Sequence, residues 1–172
     1  MKWLSYAVVA LIALGAGWYV GGLDMHHHDT RADLPQPAPA FALTDLNNRS
    51  WRNEDFAGQL LLINFWATWC APCLKEIPLL QEFHAAHHDH GFTVIGPALD
   101  DTAAVAGFVD KMQINYPIMV GDQTLFGLMD SLGDTLGALP FSVLIDRQGQ
   151  LVERHWGELQ REDLQSWLDR HL

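Results

Sequence analysis

The stretch Phe65-Trp66-Ala67-Thr68-Trp69-Cys70-Ala71-Pro72-Cys73 decides how this chain folds. It holds both cysteines of the sequence, two residues apart, at the junction of two different patterns. Before it runs the apolar segment Leu60-Leu61-Leu62-Ile63. After it Leu74, Ile77, Leu80, Gln81 and His84 follow a helical pattern. The spacing predicts a strand, a turn and a helix, with Cys70 at the helix N-terminus. Unpaired backbone N–H groups and the positive end of the helix dipole favour a thiolate there, so Cys70 is expected to have a depressed pKa and to be the attacking sulfur. Cys73, one turn further in, is placed to resolve a mixed disulfide.

A lone C-x-x-C admits three readings. Structural zinc needs four protein ligands, and this chain has one pair of cysteines. An inert structural bridge gains little, because closing a two-residue loop removes little chain entropy. A redox pair following a buried strand is the remaining reading.

The segment Leu62 to Cys73, LINFWATWCAPC, resembles the active-site strand of the thioredoxin superfamily, and Leu74-Lys75-Glu76-Ile77-Pro78 narrows the likeness. A Glu three residues after the second Cys and a Pro two later are similar to the TlpA/ResA/DsbE (CcmG) branch, the membrane-anchored thiol:disulfide oxidoreductases of the bacterial envelope. The likeness runs from about Pro39 to Leu172. It implies an α/β thioredoxin-like fold, a central mixed sheet flanked by helices with the insertion of that branch, preceded by one N-terminal transmembrane helix. A second motif, Ala138-Leu139-Pro140, matches the family's cis-Pro loop; carried over, Pro140 is the cis-Pro and Leu139 pairs with substrate. The next residue is Phe141, where relatives commonly carry Thr. The resemblance also puts Trp69 and Pro72 on the substrate-binding surface. Thioredoxins proper have a buried Asp where this chain has Asn64, and an amide cannot shuttle protons near neutrality. Glu76 is then the acid–base candidate, on the same helix face as Cys73; as a plain surface residue it would be an exposed helix Glu beside Lys75.

Composition sets the outer bounds. A chain of 172 residues, 49% hydrophobic and 18% charged, supports one ordinary core and a small addition. A net charge of −11 argues against nucleic acid as a partner. From Trp3 to Leu23 there is no charged side chain, and about 21 residues at ~1.5 Å each span the hydrocarbon core of a bilayer. Trp3 and Tyr6 at one end, and Trp18 and Tyr19 at the other, sit where interfacial aromatics belong. Lys2 precedes the segment and Asp24 and Asp29 follow it, so the N-terminus is expected in the cytoplasm. Residues 1–23 are accordingly read as an inner-membrane anchor, with a cleaved signal peptide as the alternative. Either exports the domain. Residues 24–38 read as a linker rich in His and Pro, and 39–172 as the thioredoxin-like domain.

Within the domain, Phe41-Ala42-Leu43 and Asn47 to Trp51 predict a hairpin turning at the Asn pair. Leu60–Trp66, Phe92–Gly96, Tyr116–Val120, Phe141–Asp146 and Leu151–Trp156 read as strands. Helices are expected from Asp100 to Met112, around Thr124 to Leu132, and from Arg161 to Leu172. His26-His27-His28 reads as solvated linker. His84 and His88, one helical turn apart near His87 and His90, have a spacing that chelates a metal and equally arises on any polar helix face.

The chemistry expected is dithiol–disulfide exchange with no organic cofactor and no metal. By resemblance its substrates are exported cysteine-containing proteins, among them apocytochrome c haem-site thiols and copper-site proteins, and its electron donor is a DsbD- or CcdA-type membrane protein. Two other classes stay open: a peroxiredoxin-like peroxidase, and a copper-binding chaperone using Cys70, Cys73 and a His.

Overall fold

The computed structural model describes residues 34–121 and 123–172. The anchor read over 1–23 and His26–His28 lie outside them; among the described residues no helix is long and apolar enough to cross a membrane.

Six strands form the main sheet: β1 (Gln36–Pro37), β4 (Leu60–Phe65), β5 (Phe92–Ala98), β6 (Ile118–Val120), β7 (Phe141–Ile145) and β8 (Gln150–Trp156). Across the sheet they follow the order β1-β8-β7-β4-β5-β6. A separate hairpin pairs β2 (Ala42–Thr44) with β3 (Ser50–Arg52). The helices are α1 (Ala71–His87), α2 (Thr102–Met112), α3 (Gln123–Ser131) and α4 (Arg161–His171). Strand β4 lies parallel to β5 and antiparallel to β7, so the sheet is mixed, as the resemblance implies.

All six residues of β4 are buried, because both faces of the sheet are covered. Its side chains alternate between two cores. Leu60 and Leu62 belong to a cluster with Cys73, Ile77, Leu80 and Phe83 of α1 and Leu164 and Trp167 of α4. Leu61, Ile63 and Phe65 join the opposite cluster with Phe41, Phe56 and Leu125. The period of two puts Asn64 on the Leu60–Leu62 face, toward α1. Along α1 the buried positions are Cys73, Glu76, Ile77, Leu80, Phe83 and His84, one stripe at 3- and 4-residue steps. The helix continues through Pro78, which lacks the N–H that would bond Leu74 O.

The hairpin turns where the Asn pair indicates, with Asn48 at φ 63°. Asp45 braces it: one carboxylate oxygen accepts from Asn47 N and Arg49 N, and the other from Trp51 Nε1. Asp101 caps α2 by accepting from the N–H groups of Ala103 and Ala104.

The linker boundary needs correction. Residues 36–37, read as part of an extended linker over 24–38, are a sheet edge: Gln36 pairs with Leu151 and Pro37 with Gln150, and Ala38 N–H donates to Gly149 O. A Pro-rich segment is already extended, and Pro is tolerated on an edge strand. Composition alone cannot separate that from a solvated spacer.

Strand β5 carries Gly96 where three side chains converge. A Cβ there would lie 2.7 Å from Ile118 Cδ1, 3.1 Å from Tyr116 Cε2 and 3.2 Å from Trp66 Nε1. Ile118 can give, but the two buried rings cannot both move. Gly96→Ala is expected to cost about 1–3 kcal/mol of stability, read as a lower urea midpoint at an unchanged slope.

Candidate active site

Cys70 is the N-cap of α1, with extended backbone at φ −86° and ψ 96°. Its Sγ accepts from Cys73 N–H at 3.4 Å, the role a Ser or Asp oxygen plays at other helix starts. Pro72 sits in the first turn, where its missing N–H leaves no intrahelical bond unmade. Cys70 and Cys73 are joined as a disulfide with Cα atoms 5.3 Å apart. Cys73 is fully buried and Cys70 nearly so.

The loop that delivers Cys70 is tied to the end of β5. Trp66 N–H donates to Pro97 O and Leu99 N–H to Trp66 O. Thr68 then donates both its N–H and its hydroxyl to one oxygen of Asp100, and the hydroxyl bond is the main cause holding Asp100 below the ordinary carboxylate range. With its neighbours fastened, Trp69 stands in solvent, 69% exposed. Pro72 is exposed beside it.

The Leu139–Pro140 peptide is cis. Pro140 precedes β7, whose first residue, Phe141, pairs with Phe65 at the end of β4. That register brings the loop to the sheet end from which Cys70 emerges. Leu139 is half-buried and packs against the cluster containing both cysteines.

Glu76 is 1% exposed, not a surface Glu beside Lys75. Its Oε1 accepts from Asn64 Nδ2 at 2.7 Å and its Oε2 from Leu159 N–H at 2.6 Å. Burial, the largest influence, pushes its pKa up to about 7; the two donors pull it down, and the Glu158 carboxylate pushes it up again. Asn64 also donates to Ser142 Oγ at 2.9 Å. Sequence reasoning placed Glu76 on the face of Cys73 but missed Asn64, Ser142 and Leu159 as its surroundings. The alternation along β4 was the signal for Asn64; nothing in the sequence announces the Leu159 amide, 83 positions away. The buried Tyr116 hydroxyl has no hydrogen-bond partner among the described residues, and burial, then the Glu76 charge, pushes its pKa up.

The histidines separate. His84 faces inward, its Nδ1 accepting from Val94 N–H at 3.2 Å, and burial, then His88, pushes its pKa down to about 4. Its ring lies 4.7 Å from that of His88. Among the described residues no group of three or more His, Cys, Asp or Glu is gathered to hold a metal.

With a disulfide at a helix N-terminus, a cis-Pro at the same sheet end and a buried carboxyl one turn along, residues 34–154 also match the sequence pattern of a known family. The chain belongs to the AhpC/TSA family. Within it, this is a ResA-like thiol-disulfide oxidoreductase. It is 30% identical over 169 residues to the thiol-disulfide oxidoreductase ResA of Bacillus cereus, covering 97% of this chain and 95% of the relative. A thiol:disulfide interchange protein of the thioredoxin family from Chlorobium tepidum TLS superposes with a TM-score of 0.73 at 26% identity, over 81% of this chain and 97% of that one. A putative thiol:disulfide interchange protein DsbE from Chlorobium tepidum gives 0.69 at 25% identity, over 80% and 96%. Cysteine-containing proteins are the substrate class such an enzyme acts on.

Glu76 makes the stability of this ResA-like protein fall with pH. Its folded pKa of about 7 exceeds the unfolded 4.5, so the folded state binds the proton more tightly. That stabilisation is complete below the unfolded value and lost as pH rises through the folded one, about 3 kcal/mol in all. His84, depressed from 6.5 to about 4, contributes the opposite slope: its stabilisation grows as pH rises from about 4 to 6.5. The stability difference between oxidised wild type and Glu76→Gln in urea melts, in which His84 cancels, is therefore expected to fall as pH rises from about 4.5 to 7.

Proposed function

We propose that this protein is a reductase of disulfides in exported proteins, working on the outer side of a bacterial inner membrane. Residues 3–23 hold it there with the N-terminus in the cytoplasm, and residues up to the edge strand tether the domain. A DsbD- or CcdA-type membrane protein returns electrons to it. Its substrates are cysteines that must be reduced before haem or copper is attached, as in apocytochrome c and copper-site proteins.

The observation that carries the reductase direction is the burial of Glu76 one helical turn from Cys73. A carboxylate close to the sulfurs in a low-dielectric core opposes a second negative charge on them. The dithiol is then poorly stabilised relative to the disulfide and gives its electrons up readily.

In the reduced protein the Cys70 thiolate attacks a substrate disulfide sulfur. One substrate sulfur leaves as thiolate and the other is held in a Cys70 mixed disulfide. Glu76 carboxylate takes the Cys73 S–H proton, and the Cys73 thiolate attacks Cys70 Sγ. The substrate leaves reduced, and the protein is left as the Cys70–Cys73 disulfide seen here. Trp69, Pro72, Leu139 and Pro140 form the surface on which the substrate lies, its backbone pairing beside the cis-Pro.

The test is the reduction potential of the Cys70–Cys73 couple in the full chain, equilibrated with dithiothreitol or glutathione buffers. A value near thioredoxin's, about −270 mV, is expected; one near DsbA's, about −120 mV, makes the protein a disulfide donor and sinks the proposal. Glu76→Gln is expected to raise the potential by about 30 mV for each pKa unit of relief on the thiols. Cys73→Ser is expected to accumulate substrate as a mixed disulfide on Cys70, visible on non-reducing gels, whereas Cys70→Ser traps nothing.

A further inference from the structure

Asn64 and Ser142 are directly opposed on β4 and β7, both fully buried on the face toward α1. Asn64 Nδ2 serves Glu76 Oε1 and Ser142 Oγ together, while Asn64 Oδ1 is buried with no hydrogen-bond partner among the described residues. The arrangement suits an ionised Glu76, which only accepts: Asn64 Nδ2 supplies one oxygen and Leu159 N–H the other.

A protonated Glu76 has different needs. One of its oxygens must then donate, and both face N–H groups. The Leu159 amide belongs to the backbone and cannot present an acceptor. The Asn64 carboxamide can: turned over by 180°, it sets Oδ1 where Nδ2 stood, accepting from the Glu76 carboxyl and from the Ser142 hydroxyl, whose proton is free to rotate. Each orientation meets the same two neighbours and leaves one amide group unpaired on the far side, so the two differ little in hydrogen-bond count.

We infer that Asn64, backed by Ser142, is a positioning residue that turns its carboxamide as Glu76 gains and loses the Cys73 proton, so that the buried carboxyl is hydrogen-bonded in both states. The inference rests on the reading of Glu76 as the proton acceptor for Cys73. It also gives an amide at position 64 a use that a carboxylate would not have, since Asp would set a second negative charge against Glu76. The other groups around Glu76 are Glu158, from the segment before α4 and 4.0 Å from Lys75 Nζ; the Tyr116 hydroxyl, from the segment before β6; and Cys73 on α1. None of these is hydrogen-bonded to Glu76 Oε1, whose partner is Asn64 Nδ2.

The experiment is a pH titration of the oxidised full chain in detergent, followed by NMR at the Asn64 carboxamide, assigned by its loss in Asn64→Leu, and at the Glu76 side-chain carbon. In wild type both signals are expected to move with one midpoint near 7, and in Glu76→Gln the carboxamide is expected to stay still. Asn64→Leu removes the bond to both states, of which the one to the carboxylate is the stronger, and is expected to raise the Glu76 midpoint by about one pH unit. At neutral pH that leaves about fivefold less carboxylate and slows release of substrate from Cys70 by the same factor. A carboxamide that does not respond while Glu76 titrates overturns the inference, as does a Glu76 midpoint that falls in a folded Asn64→Leu. If that variant does not fold, the wild-type carboxamide titration decides. If substrate release proves indifferent to Glu76→Gln, the acceptor reading fails, while the NMR midpoints still judge whether Asn64 follows Glu76.

Discussion

A carboxyl group sealed beneath a disulfide is the constraint from which most of this structure follows. Glu76 can be buried only because two N–H donors meet it, one from β4 and one from the segment before α4. Those donors fix how α1 sits on the sheet and where α4 begins. The same stripe that seats Glu76 seats Cys73, Ile77, Leu80 and Phe83. Seating the helix thus also places its N-terminus, and Cys70 with it, at the end of the central strand. Removing water from around the carboxyl keeps its affinity for a proton near neutrality, where a solvated Glu is fully ionised. Packing and acid–base chemistry are here one arrangement.

Much of the fold was legible because its signals are local. Leu60–Phe65 is an unbroken apolar run and became a strand buried on both faces. The Asn pair marked the hairpin turn, and Asp101 marked the start of α2. The edge strand at Gln36–Pro37 was not legible. Its membership in the sheet depends on Gln150 and Leu151, more than 110 residues away, and its own residues are those of a spacer.

The site divides in the same way. Both cysteines, and the Pro that opens β7, stand in short motifs with fixed neighbours. The surroundings of Glu76 are assembled from β4, β7 and the loop before α4, and no spacing along the chain encodes that convergence. His84 shows the limit of helical periodicity: it shares a turn with the solvated-looking His88, yet its ring lies inside and accepts a backbone N–H of β5. A residue at the margin of a helical stripe goes to whichever side offers a partner.

The contrast between Trp69 and its neighbours has a kinetic consequence. An indole ring stands in solvent next to Cys70, which is 5% exposed, and Cys73, which is not exposed at all. Exchange requires a thiolate to approach in line with the S–S axis, and a small thiol in free solution finds little of Cys70 to strike. A folded or extended polypeptide can rest on the ring and the adjoining loop long enough for that alignment to occur. Exchange with small thiols is thereby slowed relative to exchange with a polypeptide that can rest on that ring. Exposure at this site thus sets which partner is served first, while the potential sets only where the electrons end up.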